Sequence, residues 1–218
     1  MAGDISGVLG ALERERRTGV LRAGGDGAFH IERGAVVHAE SPHAPGPGDL
    51  PAGPDPELPA LLAMFDAAYF LLGSAAEPVF TEGPPSGGPR RITAATLVHE
   101  QRRRRARLDA AWPDGGVDVA PVEPVRRVRR QRVILTGVQA EILLNADGRR
   151  TPARLARDLG RTAFGCLLAV RGLAAASLVR TDPLGPGAPP SRTEIPAEWA
   201  PPDHDLLDRL RTALVGLG

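Results

Sequence analysis

The 218-residue chain has no lysine, a single cysteine and a single tyrosine, and aromatic residues make up only 4% of it. With one cysteine, Cys166, there is no internal disulfide to form, which excludes the disulfide-stapled class of small secreted domains. Long apolar runs are missing too. None approaches the roughly 20 residues that a membrane-spanning helix requires, so no membrane partner is expected. The opening MAGDISGVLG lacks the basic and long apolar regions of a secretory signal, and the cytoplasm is the expected compartment. Motifs for group transfer and hydrolysis are also absent: there is no GxxxxGKS/T, no HExxH, no GxSxG and no spaced Cys/His set. No catalytic residue, metal or cofactor is therefore expected, and a binding protein is favoured over an enzyme.

Apolar residues make up 42% of the chain, enough to bury a core in one or two domains, while 26 Gly and 22 Pro demand a large share of loop. All 27 basic residues are arginine, a bias that points to GC-rich bacterial coding rather than to any one site. The net charge of +1 conceals a partition. Residues 1–83 carry five arginines against twelve acids, a net of minus seven, and residues 84–124 carry seven against five. Residues 125–180 carry twelve arginines against only Glu141, Asp147 and Asp158, a net of plus nine, and residues 181–218 return to minus three. A segment of plus nine is the electrostatic footprint of a nucleic-acid-binding module. The alternative is a basic face that pairs with the acidic front of the same molecule, and charge alone leaves both open.

In the front part, Ile5, Val8, Leu9 and Leu12 recur at helical spacing, with Asp4 or Ser6 as N-cap. Val20-Leu21, Ala28 to Ile31 and Val36 to Ala39 read as three strands joined by turns at 24–27 and Arg33-Gly34, a small meander. The Pro-rich stretch 41–57 reads as a surface loop. A helical turn or two is expected over Leu58 to Phe65, further strands over Tyr69 to Leu72 and Pro78 to Phe80, and a long helix over Ile92 to Trp112. His30 and His38 fall in adjacent strands without a ligand set and read as structural histidines.

This order, with RTGVLRAGG and AFHIERGAVVHAES at its centre, resembles the PATAN-like domains of bacterial signalling proteins over about residues 1–110. The resemblance implies a non-enzymatic α+β unit that contacts a signalling protein. It departs from that pattern in its Pro-rich insertion at 42–56.

In the back part, Thr136, Thr151 followed by Pro152, and Thr162 are N-cap signals for three successive helices, and Leu178 to Arg180 reads as a short strand. Three helices with a tight turn before the third, then a strand, is the order of a winged helix-turn-helix. The segment ILLNADGRRTPARLARDLGRTAFGCLLAVRGLAAASLVR is similar to the winged helix domains of bacterial transcriptional regulators. The expected architecture is thus α+β, an N-terminal α+β domain with a β-meander (1–112) and a C-terminal winged helix-turn-helix (125–182). A linker at 113–124 joins them, and a Pro-rich linker (183–202) and an amphipathic helix (203–218) follow. That last helix either docks on the body or pairs two copies as a homodimer.

On this layout the candidate DNA contacts are Arg149, Arg150, Arg154, Arg157, Arg161, Arg171 and Arg180, chiefly to phosphates, which position a protein without reading sequence. The third helix offers few long polar side chains for base edges. Its expected outward stripe, Gly165, Leu168, Ala169 and Gly172, suits close packing against a protein instead. Two functions follow: a transcriptional regulator that binds DNA through the basic winged helix, or a signalling adaptor whose winged helix docks proteins.

Overall fold

The computed structural model describes residues 4–55, 57–84, 90–125 and 133–180. The basic run 126–132, the linker expected at 183–202 and the helix expected at 203–218 lie outside the described residues. Asp4 opens helix α1 (Ile5–Arg14), its carboxylate accepting the Gly7 N–H at 3.0 Å, and Ile5, Leu9 and Leu12 form the buried stripe. Strands β1 (Gly19–Ala23), β2 (Ala28–Glu32) and β3 (Ala35–Glu40) follow as the expected meander. The β2–β3 turn places Arg33 and Gly34 at φ 50° and 84°, the primed-turn geometry whose twist matches the flanking strands. A side chain on Gly34 would sit 2.7 Å from the Glu13 carbonyl oxygen.

Strand β4 (Pro78–Glu82) adds to β1, giving an antiparallel sheet of order β3-β2-β1-β4. Cross-strand register lines up Phe80, Leu21, Phe29 and Ala39 on one face. Helices α1, α2 (Leu58–Leu72) and α3 (Ala94–Ala111) pack with this face into a single core that includes Leu9, Met64, Leu71 and Leu97. The strand expected over Tyr69 to Leu72 is instead the last turn of α2. Ala67, Ala68 and Leu71 all bury on the side that already holds Met64, so the helical period continues until the Gly73 N–H closes on the Phe70 carbonyl.

The back part contributes α4 (Gly137–Asn145), α5 (Pro152–Asp158) and α6 (Ala163–Ala175), capped as expected by Thr136, Thr151 and Thr162. Thr136 and Gln139 form a reciprocal capping box. The strand expected at 178–180 is reduced to one bridge between Pro124 and Val179. The segment expected as a linker, 113–124, folds over a 3-10 turn (Gly115–Asp118) and buries Val117 and Val122 in a second core with Ile142, Leu155, Leu173 and Leu178. Ala163 at the start of α6 lies in the front core, α3 packs on α6, and the described residues belong to one compact unit. The class is α+β, with six helices and one four-stranded antiparallel sheet among the described residues.

Candidate functional site

Helix α6 is the element on which both sequence hypotheses converge, and it lies enclosed by α3, α4, α5 and the turn at 115–118. Eight of its thirteen residues are buried. A Cβ built on Gly172 would lie 2.6 Å from Gln139 Nε2 of α4, whereas one on Gly165 would meet Thr162 Oγ1 at 2.8 Å, and Gly165 lines a groove together with Val138. Ala169 is buried, and the other members of the expected docking stripe, Gly165, Leu168 and Gly172, are half-buried. At Gly172 the small residue does serve close helix packing, and the partner is α4 of the same chain.

The N-terminus of α6 rests on a buried carboxylate. Asp66, the one charged residue of α2, is 1% exposed and accepts the Ala163 N–H on Oδ2 and Arg104 Nη1 at 2.7 Å on Oδ1. Arg104 also donates Nε to Glu100 at 2.8 Å, and its guanidinium carbon lies 4.9 Å from the Phe164 ring centroid and 5.7 Å from that of Phe65. Burial holds the Asp66 carboxyl above its ordinary value, and Arg104 and the amides of Ala163 and Phe164 offset only part of that rise. Glu100, hydrogen-bonded first by Arg103 and then by Arg104, is held down at about 2.

Of the seven arginines expected to meet DNA, Arg171 is buried. Its guanidinium donates to both Asp118 oxygens at 2.9 and 2.6 Å, to Asp109 at 3.0 Å and to the Trp112 carbonyl at 2.7 Å. It lies inside the molecule because the strap at 109–118 wraps it, and this corrects its assignment as a surface cation. Arg161 makes a two-pronged pair with Glu141 at 2.9 and 2.6 Å, which holds that carboxyl below the usual range. Arg150 reaches Asp147 at 3.1 Å and Asp158 at 3.5 Å, and Arg154 reaches Asp158 at 3.1 Å. The backbone N–H groups of Arg149 and Arg150 converge on Asp147 and bring it down to about 2. Arg157 donates to the carbonyls of Pro42 and Ala44 in the Pro-rich loop, and Arg180 pairs with Glu123 at 3.4 Å. Arg149 alone of the seven has an exposed side chain with no ion pair among the described residues. Among the described residues, most of the arginines of this part are therefore engaged within the chain.

The chain matches no family model, no curated protein and no solved structure.

A groove of about 300 Å³ opens between Leu50, Pro51, Leu58 and Leu62 on one side and Val138, Arg161 and Gly165 on the other. On the outer face of the sheet, His30 and His38 are cross-strand neighbours with ring centroids 5.4 Å apart, and burial holds the His38 imidazole below its ordinary value. Among the described residues no group of three or more His, Cys, Asp or Glu is placed to hold a metal ion. No described helix is long and apolar enough to cross a membrane.

Cys166 is buried in α6, and its thiol is pushed up to about 12, first by burial and then by the Asp66 charge. At pH 8 it is expected to stay unlabelled by an aromatic disulfide reagent in the native chain and to react within seconds in denaturant. Rapid stoichiometric labelling of the folded protein would contradict this placement.

Sequence reasoning missed Asp66, Arg104, Asp118 and Glu141. Asp66 did carry a signal, as the lone charge in the apolar run LPALLAMFDAAYFLL.

Proposed function

We propose that the chain is a non-enzymatic signalling adaptor. Its back part, winged-helix-like in the order of its helices, acts as a scaffold rather than as a reader of DNA bases. The observation that carries this reading is the enclosure of α6. A recognition helix must offer one long face to the major groove, and α6 is surrounded by α3, α4, α5 and the strap. The internal pairing of Arg150, Arg154, Arg161 and Arg171 points the same way. The front α+β unit, PATAN-like in pattern, supplies the contact to a signalling protein.

The test has two arms on the full chain. Selection from a random duplex library is expected to enrich no motif. An enriched motif that disappears with Arg149→Ala and Arg154→Ala would establish the competing regulator. Native purification from the source cells is expected to yield a stoichiometric protein partner that a charge placed on the exposed surface of the front unit, such as Val79→Arg, releases. Recovery of the chain alone from such cells would sink the adaptor reading.

A further inference from the structure

Helix α3 carries positive charge that the described residues neutralise only in part. Arg102, Arg103, Arg105 and Arg107 are all exposed, and at 1.5 Å rise per residue they span about 7.5 Å of helix axis. The two carboxylates of the helix are already engaged. Glu100 is held by Arg103 and Arg104, and Asp109 by the buried Arg171. Arg102 and Arg105 have no ion pair among the described residues, and Arg107 lies over the Phe164 ring, 5.6 Å from its centroid, rather than on a carboxylate. Buried Leu97, Arg104 and Leu108 fix the inner side of the helix; with Arg103 held by Glu100 and Arg107 over the Phe164 ring, Arg102 and Arg105, three positions apart, are the exposed guanidinium groups without a partner carboxylate among the described residues.

From this placement we infer that the outer face of α3 binds the sugar-phosphate backbone of duplex nucleic acid without reading its sequence. Guanidinium forks match phosphate oxygens in pairs. A duplex presents charge at a fixed, dense spacing that a rigid helix meets without ordering its ligand, whereas an acidic peptide has to be ordered on binding. The exposed positions of α3 hold no Phe, Tyr or Trp to stack on single-stranded bases, which favours the duplex. Arginines that meet phosphates position a protein without reading sequence, so the contact is expected to be indifferent to sequence. This inference goes beyond the adaptor reading, and the two fail separately.

The test is fluorescence anisotropy of the full chain with a labelled random-sequence duplex between about 50 and 200 mM salt. Each phosphate contact contributes about 0.9 to the slope of log affinity against log salt. Arg102→Ala with Arg105→Ala is expected to lower that slope by about two. Arg102→Lys with Arg105→Lys is expected to keep most of it, since the charge remains. Arg154→Ala with Arg161→Ala, where Asp158 and Glu141 already hold the guanidinium groups, is expected to leave it unchanged. An unchanged slope in the first variant would overturn the inference, as would no binding at the lowest salt. Tighter binding to polyglutamate than to duplex DNA of equal charge would overturn it as well, and would assign the face to an acidic protein. None of these results touches the adaptor reading, which falls only to sequence-selective binding or to the lack of a protein partner.

Discussion

Replacing Asp66 by alanine is expected to lower the stability of the chain by about 3–5 kcal/mol, read as a shift in the urea midpoint at unchanged slope. The carboxylate serves three groups at once: the Arg104 guanidinium and the first amides of α6 at Ala163 and Phe164. Its removal leaves a cation that is only 6% exposed with Glu100 as its one remaining carboxylate, and opens the start of a buried helix. Asp66→Asn keeps an acceptor for one amide and is expected to fall between wild type and Asp66→Ala. Pairing Asp66→Leu with Arg104→Met removes both charges and is expected to recover part of the loss, as apolar replacements of buried ion pairs do. A loss below about 1 kcal/mol for Asp66→Ala would mean that the pair is solvated in solution.

The second large effect is expected at Arg171. Arg171→Met preserves the aliphatic stem but frees Asp118, Asp109 and the Trp112 carbonyl, the three groups that hold the strap down. The cost is expected at about 2–3 kcal/mol, below that of a fully buried pair, because Asp109 is half exposed and rehydrates. Limited proteolysis gives the sharper readout. The wild-type segment 113–118, with Val117 buried beneath it, is expected to resist a protease that cuts the Pro-rich loop at 42–56, whereas in Arg171→Met it is cut. Were Arg171 a DNA contact, the substitution would weaken nucleic-acid binding and leave both stability and cleavage unchanged.

The chemistry of helix starts was legible because it is local. Asp4, Thr136, Thr151 and Thr162 announce their helices within three residues, and each caps as expected. The meander was legible for the same reason, through Arg33-Gly34 and the alternation on either side of it. Tyr69 to Leu72 was misread because four apolar residues fit a strand or a helix equally well, and only packing around Met64 and Leu71 decides. The arginines were legible as charge and opaque as contacts. Nothing in the run RRRR distinguishes Arg104, which is buried, from Arg103 and Arg105, which are exposed, until α3 is laid against α2 and α6. Arg171 finds Asp118 across 53 positions, a separation that no window of local pattern covers.

The cap on α6 also sets a timetable for the nascent chain. Asp66 and Ala163 are 97 positions apart, so at roughly 5–20 residues per second a ribosome takes about 5–20 s to deliver the amide after the carboxylate. During that interval the front core already contains Arg104, which is delivered only 38 positions after Asp66 and neutralises it. The ion pair thus holds the place of the helix that comes later. A chain halted before residue 163 would present the empty seat of α6, rimmed by Phe65 and Arg104, to any chaperone waiting at the tunnel exit.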